Sequence, residues 1–185
     1  MLFKQELKIL EDYDGLYSFF VEHEELFKKP RNGESDTNKH YYNYKMLEKN
    51  FEIEFPYGKC FPISQFLFYY LGGYESDYQL NCIRQIPIKI NDYSFFTSHW
   101  YVSNKKDGTI IDLTKIQFEK IINIEELYEK GRKANYGWPY FKKGGKRYEK
   151  VVPSRDVMKL YEEFRKVKKS DKLEYYYKEF KNETK

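Results

Sequence analysis

The first thirty residues carry a helical pattern of apolar positions. Leucine and phenylalanine recur at steps of three and four residues among charged side chains, at Leu2, Phe3, Leu7, Leu10, Leu16, Phe19, Phe20 and Phe27. This spacing predicts two amphipathic helices that are divided at Asp14 and Gly15. The polar run after Pro30 predicts a surface loop, and residues 40–51 return to a helical pattern.

The segment CFPISQFLFYYLGG, which begins at Cys60, is apolar on nearly every side. A helix with this pattern has to lie inside the fold, because it has no polar face to present to water. Pro62 is suited to the first turn of such a helix, and the pair Gly72 and Gly73 is suited to its end. The pattern therefore predicts a buried central helix with Cys60 at its amino end.

Three strand candidates follow the central helix, at residues 79–90, 94–103 and 109–114. All three are rich in β-branched and aromatic residues, which favour strands. The second and third are joined by the sequence NKKDG, which is typical of a hairpin turn. An antiparallel sheet that follows a central helix predicts an α+β fold, with helices from both ends of the chain beside it.

The C-terminal third predicts mainly helices. Residues 124–133 have the pattern of a short helix, residues 135–145 that of a loop, and residues 148–152 that of a strand. Ser154 is a candidate N-cap for the next helix. The apolar face of that helix is formed by Val157, Leu160, Tyr161 and Phe164. A polar amphipathic helix is predicted at the end of the chain.

Composition limits the class of protein. Hydrophobic residues make up 41% of the chain and aromatic residues 20%, so a packed core is expected. A length of 185 residues fits a single domain, with a helical part at 1–55, a core at 56–152 and helices at 153–185. Apolar runs are far shorter than the roughly 20 residues that cross a bilayer, and the start of the chain does not resemble a signal peptide. We therefore expect a cytoplasmic protein without a membrane partner.

The charge pattern and the metal-binding residue types narrow the partners further. The chain has 33 Lys and Arg against 29 Asp and Glu, and acidic residues interrupt most of the lysine-rich stretches. This pattern disfavours a nucleic-acid partner, although the basic and aromatic loop at 134–148 resembles a single-strand-binding segment. Two cysteines and three scattered histidines do not have zinc-site spacing. We expect no metal and no cofactor. The abundance of Lys, Tyr, Phe, Ile and Asn indicates an AT-rich coding sequence, as in some bacteria and phages.

Three residues of catalytic type fall in order along the predicted core: Cys60 at the start of the helix, then His99 and Asp112 on successive strands. Singly, a cysteine or a histidine is more often structural. Together they supply what a thiol nucleophile needs, because the thiol requires a base and the base requires a carboxylate that fixes its tautomer.

Hairpin geometry decides whether His99 and Asp112 can meet. Across an antiparallel pair with an even loop, the numbers of facing residues sum to an odd number, and 99 plus 112 is odd. Both side chains then project from one face of the sheet. A two-residue loop would pair them directly, and a four-residue loop would make them diagonal neighbours. A loop with an odd number of residues would place them on opposite faces.

The amino end of the central helix favours negative charge. Its unpaired backbone N–H groups and the helix dipole stabilise a thiolate at Cys60. The backbone N–H of Cys60 is also a candidate donor to the oxyanion of an acyl-transfer intermediate. Such a site needs a second donor, which the sequence does not identify.

The segments GKCFPISQFLFYYLGG, SHWYV and DGTIIDLT resemble the Cys-His-Asp core of the transglutaminase-like and arylamine N-acetyltransferase-like branches of the papain-like superfamily. The resemblance covers about a third of the chain and rests on Cys60, on His99 followed by Trp100, and on Asp112 followed two residues later by Thr114. It implies a papain-like fold and a cysteine acyl-enzyme chemistry on a protein or small-molecule amide or acyl substrate. The chain lacks the R-G-G run of the acetyltransferases, and it has no glutamine just upstream of the cysteine.

Aromatic residues around the predicted site are candidates for substrate binding. We single out Trp100, which follows the histidine, and Tyr136 and Trp138 in a loop that contains glycine and proline. Two functions remain open from the sequence. One is a hydrolase or acyltransferase that uses Cys60, His99 and Asp112, with water or an amine as acceptor. The other is a noncatalytic protein of the same fold that binds a small ligand or another protein.

Overall fold

The structure, a computed structural model, describes residues 7–28, 49, 58–133, 142–143, 146–147 and 155–183. It is a mixed α+β fold. Its helices are α1 (Leu16–Glu22), α2 (Glu25–Lys28), α3 (Cys60–Tyr70), α4 (Ile116–Glu119), α5 (Ile124–Lys133), α6 (Arg155–Val167) and α7 (Asp171–Glu183). Its strands are β1 (Ile9–Leu10), β2 (Tyr78–Ile90), β3 (Tyr93–Asn104), β4 (Ile110–Ile111), β5 (Lys142–Lys143) and β6 (Lys146–Arg147).

The main sheet has the strand order β1-β4-β3-β2. Strands β2 and β3 form a long antiparallel hairpin, and β4 runs antiparallel to β3. Strand β1 runs parallel to β4, with Ile9 opposite Ile110 and Leu10 opposite Ile111. The sheet is therefore mixed, and the expectation of a purely antiparallel sheet is wrong.

The same strand corrects the N-terminal prediction. Residues 9–10, which fall in the helical pattern of the first thirty residues, are extended and pair with β4. A two-residue segment carries too little periodicity to separate strand from helix, and the β4 edge offers it backbone partners. The predicted helix after Gly15 is confirmed as α1, and the backbone before it turns at Asp14 and Gly15, both with positive φ.

Helix α3 occupies the centre of the fold, as its apolar pattern predicts. It packs against β3 on one side and against α6 and α7 on the other, and nine of its eleven residues are buried. Its end is marked by Gly72, whose φ of 110° is costly for any residue with a Cβ atom. The hydroxyl of Tyr176 in α7 donates to the carbonyl of Gly72 at 3.0 Å. The C-terminal helices thus fix the central helix from behind.

The two faces of the main sheet carry different hydrophobic clusters. Leu80, Cys82, Trp100 and Val102 belong to the cluster around α3. Ile83, Tyr101 and Ile110 belong to a second cluster that includes Phe118 of α4 and Tyr128 of α5, together with Ile86, Ile88, Ile90, Phe95 and Ile124. The sheet is therefore covered on both faces, which explains why its strands are apolar on both sides.

A β-bulge in β2 changes which residues of this strand face each cluster. Ile83 faces His99 and Ile86 faces Thr97, so that two residues of β2 stand against Ser98 alone. One extra residue reverses which side chains point to each face. Odd-numbered Ile83 and even-numbered Ile86 consequently belong to the same cluster.

The C-terminal predictions have separate outcomes. The short helix at 124–133 is confirmed as α5, and the apolar face of α6 is buried at the predicted positions. The predicted loop at 135–145, by contrast, contains the short strand β5, which pairs with β6 just beyond its end. The predicted helix at 40–51, the strand at 148–152 and the N-cap Ser154 lie outside the described residues, apart from the helical residue 49. No described helix has the length and apolar character needed to cross a membrane.

Candidate active site

His99 and Asp112 meet at the end of the β3–β4 hairpin. The N–H of Asn104 donates to the carbonyl of Thr109 at 2.8 Å, so the loop between them has four residues, 105–108. This is one of the two loop lengths that place the side chains on one face. Val102 stands opposite Ile111, which makes Asp112 a diagonal neighbour of His99. The carboxylate oxygen Oδ2 of Asp112 is hydrogen-bonded to Nε2 of the imidazole, so the predicted contact is confirmed.

The carboxylate of Asp112 is buried but fully supplied with hydrogen-bond donors. Besides His99, its Oδ2 accepts from the hydroxyl of Tyr128 at 2.5 Å. Its Oδ1 accepts from the N–H and the hydroxyl of Thr114, each at 2.9 Å. Burial alone would raise the pKa of Asp112, but the charge of His99 and these hydrogen bonds hold it below its ordinary value. The group is therefore ionised at neutral pH.

The side chain of His99 is as deeply buried as that of Asp112. Its ring packs edge-on against Phe118 at a centroid distance of 4.6 Å. Burial alone would lower the pKa of His99, but the carboxylate of Asp112 and the side chain of Cys60 outweigh it and raise the pKa. The imidazole is thus a strengthened base held in one orientation.

Cys60 is the first residue of α3, with Lys59 at the N-cap position. Its thiol lies 4.0 Å from the carbonyl oxygen of Ser98, the residue opposite the β-bulge. The side chain of Cys60 is also one of the groups that raise the pKa of His99. Since Nε2 is engaged by Asp112, Nδ1 is the ring nitrogen that remains for the sulfur. Cys60 keeps 7% of its surface exposed, whereas His99 and Asp112 keep at most 1%, so the thiol is the member of the group that solvent reaches.

Gln117 is a member of the site that the sequence did not indicate. It lies in α4 and is 1% exposed. Its carbonyl oxygen Oε1 accepts from the backbone N–H of Gly58 at 3.0 Å. Its amide nitrogen Nε2 lies 3.4 Å from Nδ1 of His99. The side chain thus connects the loop that leads into Cys60 with the imidazole.

Tyr128 and Gln117 could not be found from their sequence context. Both lie in short helices, Gln117 in α4 and Tyr128 in α5, where the local sequence does not show the partner of a polar side chain. The buried polar character of Gln117 is visible only once α4 is placed against the sheet. Among the described residues, no group of three or more His, Cys, Asp or Glu side chains is arranged to hold a metal ion.

The predicted substrate-binding residues lie in two places. Trp100 is 9% exposed and belongs to the hydrophobic cluster around α3. Its ring packs against Phe61, the residue after Cys60, at 4.8 Å between centroids. Trp100 is therefore part of the wall beside the nucleophile, and its contact with a substrate stays a prediction. Tyr136 and Trp138 lie outside the described residues.

Comparisons with protein-family models, with curated proteins and with solved structures found no match to this chain. The function of the site therefore has to be inferred from its own residues. What these define is a class of site: a thiol at a helix amino end, joined through a buried imidazole to a buried carboxylate.

Proposed function

We propose that the protein is a thiol-dependent enzyme of acyl transfer or amide hydrolysis, with Cys60 as nucleophile, His99 as base and Asp112 as the carboxylate that orients it. One observation carries this proposal. The imidazole of His99 is hydrogen-bonded through Nε2 to the buried Asp112 carboxylate, and the side chain of Cys60, at the start of α3, is one of the groups that raise the pKa of that imidazole. A thiol needs this combination of partners to act as a nucleophile near neutral pH.

The geometry supports a defined sequence of proton and bond changes. The carbonyl carbon of the substrate is attacked by the sulfur of Cys60, and the thiol proton passes to Nδ1 of His99. A sulfur–carbon bond forms while the carbonyl π electrons move onto oxygen. Collapse of this intermediate expels the leaving group, which takes the proton back from His99, and an acyl-enzyme remains. Asp112 stabilises the imidazolium throughout, because its carboxylate faces Nε2.

The second half of the reaction repeats these steps with another acceptor. Water gives hydrolysis of an amide or a peptide, and an amine gives transamidation. In each case His99 removes a proton from the acceptor and returns it to the sulfur of Cys60. These steps use side chains alone and require no cofactor. The substrate class is an amide or activated acyl group on a protein or a small molecule.

The fold around the site supports the same proposal. A buried helix begins at the thiol and packs against the strand that carries the imidazole, and the carboxylate directly follows the next strand. This order of elements is the one expected of a papain-like core with a transglutaminase-like triad. We include that core in the proposal.

The test is whether Cys60 forms an acyl-enzyme. Incubation with p-nitrophenyl acetate should release a burst of p-nitrophenolate and add one acetyl group to Cys60, detected by intact-mass and peptide mass spectrometry. Cys60→Ala should abolish the burst, and Cys60→Ser should reduce it by at least about 10³-fold, since the alcohol is a weaker nucleophile. Cys82→Ala is the matched control and should retain the burst.

Acetylation of Cys82 in place of Cys60, or no burst from the folded wild-type protein, would contradict the proposal. Binding of a ligand or partner by a folded wild-type protein that never forms an acyl-enzyme, with the same binding in Cys60→Ala, would instead favour the noncatalytic function.

A further inference from the structure

Gln117 is held by the site in one orientation. The backbone N–H of Gly58 can only donate a hydrogen bond, so it requires the amide oxygen of Gln117. An exchange of the amide oxygen and nitrogen would place two donors face to face. The amide nitrogen is therefore the atom directed at Nδ1 of His99.

The amide N–H has an acceptor at Nδ1 only while that nitrogen carries no proton. In the neutral imidazole the proton lies on Nε2, where Asp112 accepts it, and the lone pair on Nδ1 faces Gln117. Once His99 takes the proton of Cys60, Nδ1 becomes a donor and this hydrogen bond is lost. Gln117 is 1% exposed, so water does not readily replace the lost partner, and an unpaired buried donor is costly.

A new acceptor arises at the same moment. When the sulfur–carbon bond forms, the carbonyl π electrons move onto the substrate oxygen beside Cys60. The amide nitrogen of Gln117 lies 3.4 Å from Nδ1 of His99, and its amide oxygen is bonded to Gly58, two residues before Cys60, so the substrate oxygen develops its negative charge close to Gln117. The loop at Gly58, two residues before Cys60, keeps the amide directed toward this place.

We propose that the side-chain N–H of Gln117 changes partners during the reaction, from Nδ1 of His99 to the substrate oxyanion, and so supplies the second oxyanion donor beside the backbone N–H of Cys60. This inference rests on the proposed function and extends it. At 3.4 Å the ground-state contact is long, so a shorter hydrogen bond to the oxyanion would be the stronger of the two. A hydrogen bond formed only in the transition state lowers the barrier without tightening the ground state.

Two electrophiles separate this role from a structural one. Acetylation by p-nitrophenyl acetate passes through an oxyanion, whereas alkylation by iodoacetamide forms a thioether with loss of iodide and develops no such charge. Both reactions use the Cys60 sulfur. In Gln117→Met the ratio of the acetylation rate to the alkylation rate should fall by about 10²-fold, the usual cost of one lost oxyanion donor. Quenched-flow mass spectrometry of Cys60 measures both rates.

The controls cover folding and specificity. Gln117→Glu keeps an acceptor for Gly58 and removes the donor, so it should lower the same ratio even if the methionine variant does not fold. Gln79→Met makes the same substitution at a glutamine that hydrogen-bonds Ser103, and it should leave the ratio unchanged.

A ratio within about threefold of wild type in a folded Gln117 variant would overturn the partner change. Equal losses in both reactions would likewise overturn it, because they indicate a structural role only. Wild-type protein that forms no acyl-enzyme rejects the proposed function itself, and normal acetylation with an unchanged ratio rejects this inference alone.

Discussion

The two cysteines of the chain lie in the same hydrophobic cluster, but their polar surroundings differ. Cys82 lies in the middle of β2 opposite Trp100, 4% exposed, and burial raises the pKa of its thiol to about 11. Cys60 is buried to a similar degree but begins a helix, and its side chain is one of the groups that raise the pKa of His99. Burial is thus common to both thiols. The difference lies in the base and in the helix amides, which only Cys60 has beside it.

The largest loss of reactivity at Cys60 is expected from Asp112→Asn. The asparagine amide would direct its NH2 group toward Nε2 of His99, which forces the imidazole proton onto Nδ1, the nitrogen that has to accept the proton of Cys60. Inverting the tautomer of a catalytic histidine in this way costs about 10⁴-fold in turnover. We expect acetylation of Cys60 to fall by about that factor in stopped-flow measurements with p-nitrophenyl acetate.

Asp107→Asn is the control for this substitution. Asp107 lies in the same hairpin, where its carboxylate accepts from the N–H of Thr109 at 2.8 Å, and it does not touch His99. Its variant should acetylate at the wild-type rate. A similar rate in Asp112→Asn would show that the carboxylate does not set the tautomer.

The site divides into a part that the sequence predicts and a part that it does not. His99 and Asp112 lie 13 residues apart on one hairpin, so strand alternation and a short loop leave only a few arrangements. Cys60 is predicted because an all-apolar helix has to be central and its first residue has to lie at the sheet. These are local rules, and they need no knowledge of distant contacts.

Gln117 and Tyr128 could not be predicted, because α4 and α5 are placed by packing on the sheet and not by a local pattern. Their polar atoms find partners only through that packing. The same reason explains β1, since the partners of residues 9–10 lie about a hundred residues further along the chain. Local sequence patterns thus predict the positions of Cys60, His99 and Asp112 but not the contacts that Gln117 and Tyr128 make with them.

A smaller effect should appear in the alkylation of the two cysteines, a reaction that needs no acyl substrate. At pH 7.5 we expect iodoacetamide to label Cys60 at least about 10²-fold faster than Cys82, because so little of a thiol with a raised pKa is ionised. His99→Gln removes the base and should cut this ratio by about tenfold or more. Peptide mass spectrometry over a time course gives both rates from one sample.

The matched control for His99→Gln in this labelling experiment is His23→Gln. His23 caps the end of α1, where its Nδ1 lies 2.9 Å from the carbonyl of Phe19. It belongs to a different part of the chain from the two cysteines and caps a helix. Its variant should keep the wild-type selectivity. Equal labelling of Cys60 and Cys82 in the wild-type protein would remove the basis for treating the two thiols differently.

The smallest effect concerns Tyr128, the hydrogen-bond donor to Asp112, and it is a shift of stability with pH. In the folded protein the pKa of Asp112 is held below its ordinary value despite burial. Its ionisation therefore stabilises the fold above that ordinary value, and the stabilisation is lost as the pH falls through the folded-state pKa. Tyr128→Phe removes one donor to the carboxylate, so the folded-state pKa rises toward its ordinary value and the stabilisation by ionisation becomes smaller. We expect the Tm to drop by a few degrees at neutral pH, and the difference from wild type to narrow as the pH falls through the folded-state pKa.

Thermal melting between pH 3 and pH 7 measures this shift, and Tyr161→Phe provides the comparison. The hydroxyl of Tyr161 also donates to a carboxylate, that of Glu174 at 2.5 Å, but the Glu174 side chain is 30% exposed and also pairs with Arg165. Water can replace the lost donor there, so the acid limb of the Tyr161→Phe melting curve should stay close to that of wild type. Similar acid limbs for Tyr128→Phe and Tyr161→Phe would mean that the pKa of the buried Asp112 carboxylate does not depend on its hydrogen-bond donors. The inference that Asp112 is ionised in the triad, which rests on those donors, would then lose its support.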